Sequence, residues 1–215
     1  MFLLHGESKY NDCMERTLYN GVISGMSMDG GRFFYPNPLS SDGKYAFNAD
    51  GNTTRQPWFG CACCPSNLCR FIPSVPGYLY GVKDNNIYVN LFAGNTSTIK
   101  VNGKDVVLEE TTEYPWNGDI KIAVKKSGVK NANLLVRIPG WVRNQVVPSD
   151  LYKYSDAEKP AYTVTVNGKA VEADLDANKG YLPVKNIKKG DVIRIHFDMP
   201  IRTVVANGKV ADDKG

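Results

Sequence analysis

The spacing of apolar positions changes from helical to strand-like near Gly77. Between Ser8 and Ile23 the apolar positions recur every three or four residues, which predicts one amphipathic helix that stops near Gly25. Residues 26–60 are rich in glycine and proline, which favours loops with at most short strands. The apolar positions of the predicted helix are Tyr10, Cys13, Met14, Leu18 and Val22.

A second helix is predicted directly after a cysteine-rich run. Pro65 suits the start of a helix, because its missing N–H would have no partner in the first turn. Leu68, Phe71, Ile72 and Val75 then follow at helical spacing. Pro73 is expected to end or kink this helix early.

After Gly77 the pattern predicts strands that follow one another without helices between them. Asn-Gly pairs stand between alternating apolar runs and favour tight hairpin turns, because both central residues of such turns need positive φ. The clearest hairpin joins 162–166 to 170–172, and residues 144–160 resemble a long insertion between strands. The other predicted strands are 78–82, 87–92, 98–101, 120–124 and 134–138, with Ile193, Ile195, Phe197 and Met199 on one face of a last strand; the Asn-Gly pairs are Asn102-Gly103, Asn167-Gly168 and Asn207-Gly208.

These patterns predict a mainly β protein, an antiparallel β-sandwich preceded by a few helices. The expected division is residues 1–77, with helices and loops, and residues 78–215, with the sandwich. The pattern favours a core or cross-strand pairs over a sugar-stacking platform for the aromatic residues Tyr78, Tyr80, Tyr88 and Phe92.

Charge and hydropathy exclude some partners. The chain has 26 basic and 22 acidic residues in 215, and the basic ones form no stripe, which argues against nucleic acid. No apolar run approaches the roughly 20 residues of a membrane-spanning helix, so no membrane anchor is expected. The first residues do not resemble a signal peptide, and the sequence indicates no compartment.

Four of the five cysteines lie within nine positions, 61–69. Thiolates at a helix start are stabilised by free backbone N–H groups and the helix dipole, which suits a nucleophile or a metal ligand. Two adjacent thiolates supply only part of a tetrahedral zinc site, and neither histidine is near in sequence. From spacing alone, small cysteines that merely pack a helix end remain an equal alternative.

Several strings together resemble the β-L-arabinofuranosidases of glycoside hydrolase family 127 and their relatives. The resemblance covers nearly the whole chain and is specific in combination. The strings are Cys61-Ala62-Cys63-Cys64-Pro65-Ser66-Asn67-Leu68, Met14-Glu15-Arg16-Thr17-Leu18-Tyr19-Asn20-Gly21, Phe33-Phe34-Tyr35-Pro36-Asn37-Pro38-Leu39 and Arg137-Ile138-Pro139-Gly140-Trp141.

The resemblance implies a retaining glycosidase in which a zinc-bound cysteine is the nucleophile and a glutamic acid is the proton donor. By motif position Cys63 is the expected nucleophile and a zinc ligand, and Cys64 is a second zinc ligand. Cys61 is expected to line the pocket and Tyr35 to touch the sugar. The implied cofactor is zinc, the implied substrate is an arabinofuranoside-like carbohydrate, and residues 1–77 are implied to be the end of an α/α barrel.

The sequence also departs from the family. The remaining zinc ligands of the family, a Glu-x-Cys pair, and its acid/base Glu have no counterpart here. The pairs Glu109-Glu110, expected in a loop, and Asp212-Asp213 are predicted to be solvated, as are His5 and His196. The chain therefore resembles a fragment that is inactive alone and self-associates through an incomplete barrel face.

Two other functions stay open at this point. The first is a carbohydrate-binding or structural β-sandwich module with no catalytic role. The second is a zinc- or redox-sensing domain, which would require exposed cysteines that bind metal without outside ligands.

Overall fold

The computed structural model describes residues 1–38 and 40–213. Leu39, which ends one of the family-like strings, lies outside the described residues, as do Lys214 and Gly215 at the end of the predicted sandwich. The side chains of Asp212 and Asp213 are likewise not described. No helix in the described part of the chain is long and apolar enough to cross a membrane.

The described residues divide into two units, Met14–Gly77 and a larger unit that joins Met1–Cys13 to Tyr78–Gly215. The larger unit contains all the strands and the short helix α1. Its elements are α1 (Phe2–His5), β1 (Tyr80–Lys83), β2 (Asn86–Val89), β3 (Asn95–Val101), β4 (Lys104–Thr112), β5 (Asp119–Ser127), β6 (Asn133–Arg137), β7 (Tyr152–Tyr154), β8 (Tyr162–Val166), β9 (Lys169–Ala170), β10 (Tyr181–Val184), β11 (Val192–Phe197), β12 (Val204–Ala206) and a 3₁₀ segment Gly208–Asp213.

Helix α2 (Ser8–Thr17) begins in the larger unit and is followed by a π segment, Leu18–Val22, and a 3₁₀ turn, Ile23–Gly25. The smaller unit also holds a 3₁₀ turn, Ala49–Gly51, and α3 (Cys63–Phe71). A 3₁₀ segment, Ile72–Tyr78, follows and ends on the first residue of the larger unit's second stretch. Regular α-helix therefore stops before Pro73, as predicted. The smaller unit has no strand among its described residues, only isolated bridges such as Phe33 with Met26 and Gln56.

The predicted mainly β class is confirmed. Four strands form one sheet in the order β1-β2-β6-β10, and six form another in the order β3-β4-β5-β11-β8-β9. All pairings are antiparallel among the described strands except β2 with β6, which run parallel. The barrel origin of the helices stays a prediction.

Alternate residues of the strands form the core. In β11 Ile193, Ile195 and Phe197 are buried, as expected for one face, whereas Met199 lies beyond the strand and is 41% exposed. The rings of Phe92 and Phe197 pack at 5.6 Å between centroids. Phe92 is thus a core residue, whereas Tyr80, with its hydroxyl bonded to Glu110, is half-buried and Tyr78 is 42% exposed.

Two turns follow the sequence prediction and one does not. Asn102-Gly103 and Asn167-Gly168 have positive φ and join paired strands. Asn207-Gly208 forms no hairpin, which corrects the prediction. Its Asn207 bonds instead to the backbone oxygens of Leu151 and Asp150, and the chain continues as the 3₁₀ segment. The region 144–160 holds the short strand β7, which pairs with β12.

The first half of α2 buries polar residues rather than its apolar ones. Ser8 and Asn11 are 1% and 2% exposed, while Cys13 is exposed. The reason is a buried polar network: Asn11 donates to Asn90 and Tyr181 at 3.0 and 2.8 Å, and the fully buried Arg137 pairs with Asp12 at 2.6 Å. This network groups residues 1–13 with the strands rather than with the rest of 1–77.

Candidate active site

The loops of the smaller unit hold Tyr35 in place. Phe33, 5% exposed, exchanges two backbone hydrogen bonds with Gln56, both 2.8 Å. The buried side chain of Asn48 accepts from Tyr35 N at 2.8 Å and donates to Thr54 O at 2.8 Å. The Tyr35 ring packs edge-on against the buried Phe59 at 5.5 Å. Tyr35 is therefore fixed at both backbone and ring.

Helix α3 places two cysteines in its first turn. Cys63 and Cys64 are its first two residues, and the preceding Ala62 has no side chain that could cap the free N–H groups. Ser66 donates back to Ala62 O at 2.6 Å, which closes the first turn. The two thiols therefore belong to a helix start that has uncapped N–H groups and the positive end of the helix dipole.

Tyr35 and three cysteines meet at this point. Tyr35 Oη lies 3.1 Å from Cys63 Sγ and 3.8 Å from Cys61 Sγ, and Cys63 Sγ lies 3.8 Å from Cys64 Sγ. Cys61 and Cys63 are exposed, whereas Cys64 is half-buried. The structure thus brings together all four residues that the sequence singled out.

The contacts of the two adjacent thiols shift their pKa values in opposite directions. The hydroxyl of Tyr35, followed by Cys64, lowers the pKa of Cys63. Burial, followed by the neighbouring Cys63, raises the pKa of Cys64. The hydrogen bond to Cys63 raises the pKa of Tyr35, so this phenol stays protonated and acts as a donor. Of these two adjacent thiols, Cys63 is therefore the one that ionises more readily.

The same thiols fit part of a zinc site. Zinc is commonly bound by thiolates in tetrahedral sets of four, and Cys63 and Cys64 offer two soft ligands at adjacent positions. Among the side chains that the structure describes, no group of three or more His, Cys, Asp or Glu is arranged to hold an ion. The two thiols suit zinc as ligands, and they make up half of a set of four.

A cavity of about 340 Å³ lies beside the cluster, within the smaller unit. Tyr35 and Cys64 line it together with the apolar side chains of Phe34, Leu68 and Phe71. Cys61 and Cys63 are not among its lining residues. The cavity therefore reaches the cluster from the Cys64 side.

The remaining chemistry-bearing residues lie elsewhere. Cys13 and Cys69 are exposed and outside the cluster, and His5 stacks on Tyr10. His196 is about half exposed between Asp119 and Asp198, at 2.7 and 3.1 Å, and both contacts raise its pKa. Its position on the polar face of β11 agrees with the predicted solvated histidine.

One prediction about carboxylates is wrong. Glu109 and Glu110 lie in β4 and not in a loop, and Glu110 is only 2% exposed. Its oxygens accept from Tyr80 Oη at 3.0 Å and Ala93 N at 3.1 Å, and these bonds keep it inside. Burial raises the pKa of Glu110 to about 8.

Sequence reasoning also missed the residues that support Tyr35. Asn48 and Phe59 stand in a loop region without periodicity, where no pattern marks which side chains turn inward. The one available signal concerned Phe59, which stands two residues before the cysteine run, whereas Asn48 lies near no quoted motif.

Comparisons with known proteins agree on one family. Residues 1–77 match the sequence model described as β-L-arabinofuranosidase, GH127 catalytic domain, and residues 86–199 match the GH127 middle domain. A curated relative, the non-reducing end β-L-arabinofuranosidase of Bifidobacterium longum subsp. longum, is 32% identical over 225 residues. That alignment covers 100% of this chain and 31% of the relative.

Solved structures give the same result. A GH127 β-arabinofuranosidase is 56% identical with a TM-score of 0.90, over 99% of this chain and 32% of that one. A GH127 β-L-arabinofuranosidase from Geobacillus stearothermophilus T6 is 34% identical with a TM-score of 0.79, over 98% of this chain and 31% of that one. The chain thus spans about a third of the length of these relatives.

Proposed function

The chain belongs to the GH127 β-L-arabinofuranosidase family, and from this premise we propose that it carries the cysteine nucleophile of a retaining glycosidase. The homologues are glycoside hydrolases. The proposed substrate is a terminal β-L-arabinofuranoside or a related sugar. The proposed nucleophile is Cys63.

The chemistry is a double displacement at the anomeric carbon. The Cys63 thiolate attacks this carbon, the bond to the leaving oxygen breaks, and a carboxylic acid protonates that oxygen. Water then attacks the same carbon, gives its proton to the carboxylate left from the first step, and releases Cys63 as thiolate. Two inversions leave the configuration unchanged.

Tyr35 and the helix start prepare Cys63 for attack. The Tyr35 hydroxyl donates to the thiolate at 3.1 Å, and the uncapped first turn of α3 stabilises its negative charge. Cys61, 3.8 Å from the same hydroxyl, is proposed to line the sugar pocket, and Tyr35 to contact the sugar.

Cys63 and Cys64 are the residues proposed to hold zinc. When bound, zinc would keep both thiols deprotonated and lower the cost of releasing Cys63 from the sugar. The other ligands and the proton-donating carboxylic acid are proposed to come from the rest of a complete catalytic domain.

The observation that carries the proposal is the exposed Cys63 thiol. It is the first residue of a helix, it lies 3.1 Å from a fixed phenol, and its pKa is lowered. A cysteine that only packs a helix end would be buried, and burial would raise its pKa.

The test is hydrolysis of a chromogenic β-L-arabinofuranoside by a full-length family protein that contains this segment. Cys63→Ser should reduce kcat by a factor of about 10³ or more, because the weakly acidic hydroxyl replaces a thiolate. Cys69→Ser, an exposed cysteine of the same helix, is the matched control and should keep activity.

The 215-residue chain alone should show no turnover, because the described partners of Cys63 are Tyr35 and cysteines, with no carboxyl group. Robust turnover by this chain, or full activity of folded Cys63→Ser, would contradict the proposal. The second result would favour a module without a catalytic role.

A further inference from the structure

A polar cleft of about 390 Å³ opens on the unit formed by residues 1–13 and 78–215. The start of α2, the segment around Arg143 and the turn before β10 line it, and no cysteine of the cluster does. Gly180 shapes it, because an added Cβ there would lie 1.9 Å from Ser8 Oγ and 3.1 Å from Arg143 Nη2.

Arg143 is held rigidly at the wall of this cleft. Its Nε donates to Ile138 O at 3.1 Å, and its Nη2 donates to Ser8 Oγ at 2.9 Å and Asp12 Oδ2 at 3.3 Å. Its side chain is 14% exposed. In the described part of the chain Nη1 has no hydrogen-bond partner, and it is not among the polar atoms cut off from solvent. Nη1 is therefore the nitrogen left to donate to a ligand.

The charges around the cleft favour an anion. Arg143 is joined by the ammonium groups of Lys9 and Lys179, while the lining carboxylates are those of Glu7 and Asp176. The Asp12 carboxylate behind Arg143 is shared with Arg137. Lys9 pairs with Glu7 at 2.6 Å on the surface, and Lys179 Nζ donates to His5 O at 2.8 Å. The positive end of the α2 dipole adds to the net cationic balance.

Neutral polar groups complete the lining. Gln145 and Ser149 also line the cleft and offer an amide and a hydroxyl. A fixed guanidinium nitrogen binds a carboxylate well, because little side-chain freedom is lost on binding. Amide and hydroxyl groups match the hydroxyls of a sugar ring.

We propose that this cleft binds a carboxylate-bearing sugar, a uronate residue, with Arg143 Nη1 donating to the carboxylate. The choice of a sugar rests on the proposed glycosidase function. The cleft is thus a glycan-binding site of the sandwich unit, separate from the residues proposed for hydrolysis.

The test is isothermal titration calorimetry of the 215-residue chain with three probes: D-galacturonate, D-galactose and acetate. Galacturonate should bind saturably, and galactose should bind at least tenfold more weakly because it lacks the charged hydrogen bond. Acetate should bind no better than galactose, because it lacks the ring hydroxyls.

Three variants locate the binding. Arg143→Lys should weaken galacturonate binding by roughly tenfold, because a flexible ammonium is not fixed by the contacts to Ile138, Ser8 and Asp12 and has no equivalent of the free Nη1. Lys9→Gln should weaken it by about threefold. Lys189→Gln removes an exposed lysine of the same unit outside the cleft and should leave affinity unchanged. If Arg143→Lys lowers the melting temperature strongly, the galacturonate affinity of Lys9→Gln decides whether the cleft is the binding site.

Each other outcome overturns the proposal. If acetate bound as tightly as galacturonate, the cleft would be a general anion site. If galactose bound as tightly as galacturonate, the cleft would not recognise the carboxylate. If galacturonate did not bind, the cleft would not be a binding site. Cys63→Ser separates this proposal from the catalytic one. It should abolish hydrolysis in a full-length protein and leave galacturonate binding by the chain unchanged.

Discussion

At the residue scale, the contact between Tyr35 and Cys63 sets the reactivity of the cluster. The hydroxyl is a donor at 3.1 Å, and its contact is the largest cause of the lowered pKa of Cys63. Tyr35→Phe removes that donor and raises the pKa, so a smaller fraction of Cys63 is thiolate at pH 7. Alkylation of Cys63 by iodoacetamide should slow by roughly three- to tenfold.

The measurement is peptide-resolved mass spectrometry of metal-free protein over time. Tyr45→Phe is the matched control, because Tyr45 is 73% exposed and belongs to the same unit. Cys69 provides an internal reference in every sample. Equal Cys63 rates in the wild type and Tyr35→Phe would show that the phenol does not support the thiolate.

Glu110 makes the stability of the sandwich unit depend on pH. Its pKa is raised by burial from 4.5 to about 8 in the folded chain. A carboxyl group with a raised folded pKa stabilises fully below pH 4.5, and this contribution disappears as the pH rises through about 8. The free energy of unfolding should therefore fall across this window, by an amount on the order of 4 kcal/mol.

Glu110→Gln should remove most of this slope, because the amide stays neutral and can still accept from Tyr80 or Ala93 N. Urea unfolding at several pH values between 5 and 9 measures it. Glu109→Gln changes the neighbouring residue, whose side chain is 41% exposed and paired with Lys125, and should retain the slope. A wild-type curve that is flat over this range would contradict the role of Glu110.

At the element scale, the turn before β5 fits against β11 only because residue 118 is glycine. Phe197 N donates to Gly118 O at 3.0 Å, and an added Cβ would lie 1.9 Å from Phe197 O. Gly118→Ala should destabilise the protein by about 2–4 kcal/mol, because backbone must move on one side of the contact. Thermal unfolding followed by circular dichroism measures the change.

Gly208→Ala is the control for this substitution, because no atom lies within 4 Å of its added Cβ and it belongs to the same unit. Its melting temperature should stay within a degree or two of the wild type, since surface changes are usually small. A similar loss in both variants would place the effect in the glycine change itself and not in the contact with Phe197.

The sequence predicted elements where local chemistry decides them. Alternation in β11 and positive φ at Asn102-Gly103 and Asn167-Gly168 are local properties, and these predictions are confirmed. The buried face of α2 is not local, because Asn11 and Asp12 turn inward only when Asn90, Tyr181 and Arg137 are in place. The burial of Glu110 was not predicted for the same reason, because its partners Tyr80 and Ala93 are distant in the sequence.

At the scale of the whole molecule, the arrangement of the four candidate site residues also depends on contacts between distant residues, which local sequence patterns do not reveal. Spacing placed Cys63 and Cys64 at a helix start, and the structure has them there. Tyr35 is 28 residues away, and only the family-like string pointed to it. The loop that brings its hydroxyl to 3.1 Å from Cys63 is held by Asn48 and Phe59, which no periodic pattern marks.

The number of proposed zinc ligands in the chain gives a quantitative expectation for metal binding. The proposed ligands Cys63 and Cys64 offer two thiols, and no group of three or more ligand side chains forms among the side chains that the structure describes. Two ligands bind zinc far more weakly than four, because each further thiolate adds affinity and excludes water. The chain should therefore hold less than one zinc after dialysis against metal-free buffer.

Metal analysis by mass spectrometry, with thiol titration before and after denaturation, decides this. Weak binding that is lost in Cys63→Ser and in Cys64→Ser, but kept in Cys69→Ser, would place half of a zinc site at the start of α3. One tightly held zinc with both thiols protected would contradict this expectation, because the chain would then complete the site with its own residues and act as a self-contained metal domain. Freely reactive thiols without any affinity for zinc would argue against Cys63 and Cys64 as ligands.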